Sequence, residues 1–354
     1  MNIFDLLKQA VSMDASDTHI AVDSPPIARV KGRFVNLSNY KLTKEDTKQL
    51  VIQIAGKTKF DKVDALGELD FSASLDDGTR FRVNAFKEKG NFALAIRTIT
   101  ADVPTFEQLQ LPETLTVFTE KYKGLVLVTG PTGSGKSTTL ASLIDIINST
   151  RQEHIITLED PIEYLHHHKK SIINQREIGS DSQSFQSALR AILRQDPDII
   201  LIGEMRDPET ISTALTAAET GHLVFSTLHT IGAAKTIDRI IDSFPGDQQP
   251  QIRTQLSTVC EGIISQQLLP TADHQGRIAA TEVMIATTAI RNLIREDKSY
   301  QIQSSIQTGQ KIGMHTMDQD LIRLYNNGKI SKEIALSRCS DFNYVSKMMG
   351  SYIK

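Results

Sequence analysis

The run LVLVTGPTGSGKST, residues 125–138, decides the fold. It joins an apolar stretch to a glycine-rich turn of the form GxxxxGKS, and a helical pattern follows from Thr138 to Ile147. A strand, a turn and a helix in this order form a phosphate-binding loop. Successive backbone N–H groups curl around phosphate oxygens there, and the helix N-terminus favours negative charge. The sequence therefore predicts a nucleotide site.

Individual positions of this loop have predicted roles. Lys136 is expected to reach the β and γ phosphates, and Ser137 to supply a magnesium ligand, so that the bound species is ATP with Mg²⁺. The alternative is a glycine-rich turn with no ligand, which the complete motif and its two flanking elements disfavour. The predicted nucleotide-binding residues of the loop are Gly130, Pro131, Thr132, Gly133, Ser134, Gly135, Lys136, Ser137 and Thr138.

Short apolar runs alternate with helical patterns from about residue 124 onwards. This alternation is typical of a parallel sheet with crossover helices, so we expect an α/β fold. Ligands of such sheets bind at the carboxyl ends of the strands. The predicted strands are Leu125–Val128, Ile155–Leu158, Ile199–Ile202 and Leu223–Thr227.

Carboxylates follow two of these strands. Glu204 comes directly after the third run, where P-loop enzymes commonly carry an acidic residue, and its length favours contact with magnesium through water. Glu159, Asp160 and Glu163 follow the second run, and Asp160-Pro161 predicts a turn that aims at least one carboxylate at the nucleotide. Solvated acidic turns are the alternative for either cluster alone.

Two histidines bracket the last strand. An imidazole near the terminal phosphate senses hydrolysis by gaining or losing a hydrogen bond, and His222 and His229 are the candidates. Their separation, roughly 20 Å across a strand, argues against joint metal ligation. The tract His166–His168 precedes two lysines, and we interpret it as a solvated surface loop with metal binding as the alternative.

The first hundred residues have a different pattern. Alternating segments separated by Asp76-Asp77-Gly78 and Lys89-Gly90-Asn91 predict hairpins, and a helix is expected near Lys44–Ile54. We predict a small α+β domain over residues 1–100, a linker over 101–115, a nucleotide-binding domain over 116–285 and a C-terminal helical subdomain over 286–354.

Three arginines of the predicted N-terminal domain are candidates for catalysis in trans. Arg80, Arg82 and Arg97 lie in strand-like segments far in sequence from the phosphate loop. Most strand arginines are surface residues. In a ring, however, one subunit can place an arginine at its neighbour's nucleotide, where it accelerates phosphoryl transfer by about 10³–10⁵. The sequence leaves both interpretations open.

The composition of the chain limits which kinds of partner and metal site are expected. The chain has 354 residues, a formal net charge of -3 and only two cysteines, Cys260 and Cys339. The charge argues against nucleic acid as a partner, and the cysteines argue against a disulfide framework or a four-cysteine zinc element. The N-terminus lacks a signal-peptide pattern, and no apolar stretch approaches the roughly 20 residues of a membrane span. We expect a cytoplasmic protein that meets membranes only through partners.

Taken together, these motifs resemble the secretion and pilus ATPases, most closely the PilT-like retraction ATPases of type IV pili. Besides the phosphate loop, the resemblance covers nearly the whole chain. Its most specific element is Ala289–Glu296, which is similar to the family's C-terminal motif associated with retraction. The other matching stretches are Ser16–His19, Phe81–Phe86, Thr157–Glu163, Asp196–Asp207 and Gly221–His229.

The resemblance implies a PAS-like N-terminal domain, a RecA-like P-loop core and a hexamer with ATP at its subunit interfaces. By position, Glu163 is the general base, Glu204 the Walker B acid, and His229 with His222 the phosphate sensor. It also implies that Arg80, Arg82 or Arg97 reaches a neighbouring subunit. The implied partners are an inner-membrane platform protein and a paralogous retraction ATPase, which place the motor at the inner membrane.

The implied function is ATP-driven pilus retraction, which powers twitching motility. Extension and type II secretion ATPases usually carry the four-cysteine zinc element that this chain cannot form, so retraction is favoured. The alternatives are an accessory retraction ATPase, a type II secretion ATPase, a DNA-translocating ATPase or a nucleotide-gated scaffold without turnover.

Overall fold

A computed structural model of the chain describes residues 1–99 and 103–350. The structure divides into two compact units. The first comprises residues 1–99 with the segments Pro161–Leu165 and Gly179–Asp181, and the second comprises most of the chain from Val103 onwards. Residues 101 and 102 of the predicted linker, and the last four residues of the predicted C-terminal subdomain, lie outside the described residues.

The first unit is built on one antiparallel sheet of six strands in the order β3-β2-β1-β6-β5-β4. Both predicted hairpin turns join strands of this sheet. Two helices cover one face, on which the core residues Phe81, Val83 and Ile96 are buried. The elements are α1 (Ile3–Ser12), β1 (Ala15–Ile20), β2 (Ile27–Val30), β3 (Arg33–Asn36), α2 (Lys44–Leu66), β4 (Glu68–Ser74), β5 (Arg80–Glu88) and β6 (Asn91–Ile99).

The helix α2 begins at the predicted residue but runs 12 residues further than predicted. Thr43 and Asp46 form a capping box that fixes its start. Gly56 has a positive φ of 69°, so two helical segments meet there at a kink. The sequence-based boundary at Ile54 fell at this kink because glycine is a weak helix former.

The second unit contains a seven-stranded sheet in the order β13-β12-β7-β11-β10-β8-β9. All neighbouring pairs are parallel except β12 and β13. The four predicted apolar runs form its centre, and the predicted α/β fold is confirmed. The strands are β7 (Gly124–Thr129), β8 (His154–Glu159), β9 (Ile172–Glu177), β10 (Ile199–Ile202), β11 (Leu223–Leu228), β12 (Cys260–Pro270) and β13 (Arg277–Ile285).

Helices cover both faces of this sheet, and the last three pack near its β13 edge. Leu269 and Ile278 of the two edge strands share one apolar cluster with Leu321 and Val345 of these helices. The helices are α3 (Phe106–Leu109), α4 (Lys136–Thr150), α5 (Phe185–Ile192), α6 (Pro208–Glu219), α7 (Ala233–Asp242), α8 (Gln249–Val259), α9 (Thr288–Arg295), α10 (Ile302–Thr308), α11 (Met317–Asn326), α12 (Lys332–Arg338) and α13 (Phe342–Gly350).

Within residues 1–99 and 103–350, no helix is both long enough and apolar enough to cross a bilayer.

Candidate nucleotide site

The glycine-rich loop lies between β7 and α4, where the sequence predicts it. Gly130, Gly133 and Gly135 have φ values of 144°, 79° and 87°, a region that glycine occupies at little cost. A Cβ atom on Gly130 would collide with the backbone carbonyl of Gln266 on β12. Glycine at this position therefore allows the loop to turn tightly against the neighbouring strand.

The N-terminus of α4 faces this loop. The helix is 15 residues long, its first turn carries no acidic residue, and within the described chain no side chain caps it. Its dipole therefore favours an anion at this end. The Nζ atom of Lys136 donates to the carbonyl oxygens of Gly130 at 2.9 Å and Pro131 at 3.1 Å, which holds the ammonium group over the loop.

One buried hydroxyl in the loop fits an external ligand. The Oγ atom of Ser134 is buried, and within residues 1–99 and 103–350 it has no hydrogen-bond partner. Leaving a buried hydroxyl unpaired costs about 1–3 kcal/mol. A phosphate oxygen would satisfy this group, so the local chemistry fits the predicted nucleotide.

Glu204 and His229 come together at the same edge of the sheet as the loop. The strands β10, β11 and β7 are in register, with Ile202 opposite Ser226 and Leu228 opposite Thr129. Their carboxyl ends therefore lie side by side.

The contacts at this edge are direct. The Oε2 atom of Glu204 lies 3.4 Å from Nε2 of His229, and its Oε1 atom lies 2.6 Å from Nε of Arg206. The backbone N–H of Gly130 donates to the carbonyl of Leu228 at 3.2 Å, which joins the loop to the strand before His229. The Glu204 side chain is 15% exposed and His229 is 50% exposed, so a small ligand can reach both.

His222 lies at the opposite end of β11 from His229. It precedes the strand, and its Nδ1 atom lies 2.9 Å from the carbonyl of Ala217. A six-residue strand spans roughly 20 Å, so the two histidines are far apart. Within one chain, the structure therefore does not bring His222 to the phosphate loop. The two histidines bracket the strand as the sequence predicts, and the grouping of both with the phosphate, which the resemblance implied, is not supported within one chain.

The acidic cluster after β8 is divided between the two units. Oε1 of Glu159, the last residue of β8, accepts hydrogen bonds from Thr157 Oγ1 at 2.7 Å and Gln175 Nε2 at 3.1 Å. Glu163 is exposed and lies in the segment Pro161–Leu165, which belongs to the first unit. Its predicted role as general base stays a prediction.

The three candidate arginines share one face of the first unit's sheet. Arg80 and Arg82 are two residues apart on β5, and Arg82 lies directly opposite Arg97 on β6. The Nε atom of Arg97 lies 3.0 Å from Oδ1 of Asp17, and that of Arg82 lies 3.9 Å from Oδ1 of Asp70. All three therefore extend from the sheet face that is opposite the buried one.

The pKa of Asp17, the carboxylate beside Arg97, is lowered by its neighbours. Partial burial on its own raises the pKa of Asp17, but the hydrogen bonds from Ser16 and Arg97 and the charge of Arg97 outweigh it, so the pKa lies below the usual value. Asp17 stays ionised at neutral pH. This pairing holds the guanidinium group of Arg97 against the sheet.

A cavity of about 330 Å³ adjoins the phosphate loop within the second unit. One wall is Gln108–Leu111, a second is the start of α4 at Thr138 and Thr139, and a third includes Leu268 and Arg277. Its size suits a nucleoside, since small-molecule sites range from about 300 to 1,000 Å³. The sequence gives no signal for this wall, because Gln108–Leu111 falls in the predicted linker and carries no motif.

Gln266 is a second residue that sequence analysis missed. It is 2% exposed on β12, and its side chain donates to Ser134 O at 2.7 Å. The only signal in the sequence is a run of three polar residues, Ser265, Gln266 and Gln267, between the apolar pairs Ile263-Ile264 and Leu268-Leu269.

The histidine tract is less exposed than predicted. Burial lowers the pKa of His166 to about 4, with the charge of Asp145 opposing the shift and that of Lys169 adding to it. The backbone N–H of His166 donates to Gln175 Oε1 at 2.8 Å, which draws the residue inward. The prediction of a solvated surface is therefore wrong for His166, while His167 and His168 are exposed as predicted.

In the part of the chain that the structure describes, no three His, Cys, Asp or Glu side chains gather into a metal site. Magnesium in nucleotide sites is held by one or two protein oxygens together with phosphates and waters. Hydroxyl and carboxylate oxygens of the types found at Ser137 and Glu204 suit this ion.

Comparison with known proteins identifies the family. The family model described as "Type II/IV secretion system protein" matches residues 5–334. The chain belongs to this family. The family's type IV pilus retraction ATPase PilT from Pseudomonas aeruginosa is 48% identical over 335 residues, which covers 95% of this chain and 97% of that protein. A twitching motility protein from Neisseria gonorrhoeae is 47% identical over 98% of this chain and 92% of its own length.

A solved structure agrees in fold. The crystal structure of the pilus retraction motor PilT with bound ADP has a TM-score of 0.92 and 48% identity, and the match covers 98% of this chain and 99% of that one. The predicted RecA-like core and the resemblance to the secretion and pilus ATPases are both confirmed.

Proposed function

We propose that this protein is a ring-forming ATPase that hydrolyses ATP to drive type IV pilus retraction and so twitching motility. The observation that carries the proposal is the meeting of the phosphate loop with Glu204 and His229 at one sheet edge, in a chain 48% identical to a retraction ATPase over nearly its full length.

The loop binds the phosphates in this proposal. Backbone N–H groups from Gly130 to Thr138 surround the phosphate oxygens, and Ser134 gives its buried hydroxyl a partner there. Lys136 moves from the loop carbonyls to the β and γ phosphates. Ser137 and Glu204 are the residues that would hold Mg²⁺, the carboxylate through water, and the ion neutralises charge on the phosphates when it is bound.

The proposal also assigns a general base for hydrolysis and a residue that senses the phosphate. We assign the base to Glu163, which orients water for attack on the terminal phosphate. His229 contacts the phosphate from β11, and its 3.4 Å contact with Glu204 links the sensor to the acidic residue. His222 has no role at the phosphates of its own chain, because it lies at the other end of the strand.

The arginine face completes the site in trans. A hexamer places Arg82, Arg97 or Arg80 of one subunit at the nucleotide of the next, where a positive charge stabilises the transition state. The support is that all three lie on one sheet face and that the ion pairs of Arg82 and Arg97 are with partly exposed carboxylates. Surface pairs of this kind are worth about 0–1 kcal/mol, so they can exchange for a phosphate.

The cavity beside the loop takes the base and ribose. Its apolar residues Leu109, Leu111, Leu268 and Ala279 give a ring a surface to pack on, and Gln108 and Arg277 supply polar groups. A nucleoside held there extends its phosphates over the start of α4. ATP is therefore the proposed substrate.

The partners and location follow from the proposed activity. The motor acts in the cytoplasm at the inner membrane, through a pilus platform protein, and together with a paralogous retraction ATPase. Nucleic acid has no part in it, and the net charge of -3 agrees with that. The domain limits proposed for this machine are those predicted from the sequence, residues 1–100, 101–115, 116–285 and 286–354.

Steady-state phosphate release by the purified chain, with and without DNA, tests this function. We expect magnesium-dependent release from ATP that DNA does not stimulate, and loss of fibre retraction in cells that lack the protein. Absence of release would favour a nucleotide-gated scaffold. Strong stimulation by DNA with steep salt dependence would favour a translocase, and intact retraction with failed protein export would favour secretion.

A further inference from the structure

The strand β12 runs beside β7 and passes the start of the phosphate loop. Ser265 lies opposite Thr129, the last residue of β7, and Gln266 is the next residue along. The Gln266 side chain is almost fully buried although it carries an amide. Burying an amide without hydrogen-bond partners costs free energy. The hydrogen bonds that Gln266 forms therefore identify the groups that its side chain holds in place.

Both polar atoms of the Gln266 amide form hydrogen bonds. Nε2 donates to the carbonyl of Ser134 at 2.7 Å, and Oε1 accepts from Oγ1 of Thr139 at 2.8 Å. Ser134 lies in the loop and Thr139 in the first turn of α4, so one side chain connects the two parts that surround the phosphates. A Cβ atom on Gly135 would lie 2.9 Å from Nε2, which shows how closely the loop approaches.

The neighbouring residue holds the other nucleotide-facing loop. Oγ of Ser265 accepts from the backbone N–H of Gly232 at 2.8 Å, and Gly232 follows His229 by three residues. Side chains alternate between the faces of a strand. Ser265 and Gln266 therefore fasten the His229 loop and the phosphate loop from opposite faces of β12.

We infer that Gln266 is a positioning residue that holds the phosphate loop in its nucleotide-binding shape. The inference rests on the proposed function, because it assigns a role at the same site. Through its amide, Gln266 contacts the loop backbone at Ser134 and the hydroxyl of Thr139 on the helix, and it also lines the cavity that we assign to the nucleoside. A loop that is already ordered binds phosphates more tightly, since less conformational entropy is lost on binding.

Three variants test this role. Gln266→Met keeps the volume and removes both hydrogen bonds, and Gln266→Glu turns the donor to Ser134 into an acceptor that is repelled. Gln267→Met is the matched control, because Gln267 is adjacent on the strand and is only half-buried. The dissociation constant of ADP is measured by calorimetry for each full-length protein, along with the melting temperature without nucleotide.

We expect Gln266→Met to weaken ADP binding about three- to tenfold, the effect of one to two lost hydrogen bonds, and Gln266→Glu to weaken it further. The control should stay within twofold of wild type. A lower melting temperature with unchanged ADP affinity would assign Gln266 to packing alone and overturn the inference. Wild-type protein that does not bind ADP would overturn the proposed function instead.

A second pair of variants decides the matter if the Gln266 variants do not fold. Thr139→Val removes the hydroxyl that donates to Oε1, and Thr139→Ser retains it. We expect the valine variant to weaken ADP binding and the serine variant to restore it. Equal ADP affinity in the two variants would also contradict the positioning role.

Discussion

The phosphate-loop edge of the second unit and the arginine face of the first unit differ in whether contacts within one chain bring their proposed functional residues together. At the sheet edge, Glu204 contacts His229, and Gly130 donates to the carbonyl of Leu228, the residue before His229, all within the second unit. On the arginine face, Arg82 and Arg97 contact only carboxylates of their own sheet among the partners that the structure gives. The first region is organised by its own fold, whereas the function proposed for the second requires another surface.

The largest expected effect comes from that second region. Replacing Arg97 or Arg82 by Ala should reduce phosphate release by about 10³ for the arginine that acts in trans, because a transition-state charge is lost. Arg33→Ala, an exposed arginine on β3, is the control and should release phosphate at the wild-type rate. Full activity in both the Arg82 and Arg97 variants would assign them to the surface.

Removal of the proposed base should have the next largest effect. Glu163→Gln should lower phosphate release by about 10² or more while ADP binding stays intact, because general-base catalysis typically supplies 10²–10⁴. Glu209→Gln, an exposed glutamate in the first turn of α6, serves as control. An unchanged rate in the Glu163 variant would remove this residue from the mechanism.

A smaller effect is expected on the pH dependence of stability in the second unit, where His166 is concerned with folding and not with catalysis. The folded pKa of His166 is about 4, below the value of 6.5 for a free histidine, so the unfolded chain takes up the proton first as pH falls. The stability that neutral His166 contributes to the folded state is complete above pH 6.5 and is lost as the pH falls towards 4. When the pH is lowered from 7 to 5, we expect His166 to lower the free energy of unfolding by about 2 kcal/mol.

Denaturant unfolding at the two pH values measures this loss. His166→Gln should show a smaller decrease than wild type, and His274→Gln, at an exposed site, should follow wild type. If wild type and His166→Gln lost equal stability, the buried neutral histidine would be ruled out.

The smallest effect is expected on the arginine face. Asp17→Asn removes the 3.0 Å pair with Arg97, whose side chain is 69% exposed, and should cost less than about 1 kcal/mol of unfolding free energy. The loss should shrink further in high salt, because exposed charges are screened. A cost of several kcal/mol would mean that Arg97 is a structural residue and is not available to a neighbour.

Local patterns predicted the centre of the site well. Three glycines, Lys136 and an apolar strand specify a phosphate loop within 14 residues, and the runs Ile199–Ile202 and Leu223–Thr227 predict the neighbouring strands. These features depend on contacts close in sequence or on simple burial. The sequence was therefore sufficient for the fold class and for the placement of Glu204 and His229.

Long-range contacts were beyond sequence reasoning. Gln266 lies more than 125 residues from its two partners, so no spacing rule connects them. The cavity wall at Gln108–Leu111 was predicted as linker. His222 was grouped with His229 by the resemblance, although the sequence itself placed the two histidines at opposite ends of a strand. Gln266 and the cavity wall both depend on which distant segments of the chain pack together, and a motif does not carry that information.

Mixed rings test most directly whether the two regions form one site across subunits. Lys136→Ala carries the arginine face without a working phosphate loop, and the double variant Arg82→Ala, Arg97→Ala carries the loop without the arginines. Each protein alone should release almost no phosphate. Co-assembled, they should recover release, because intact loops then meet intact arginines at shared interfaces. A mixture as inactive as its components would contradict the account.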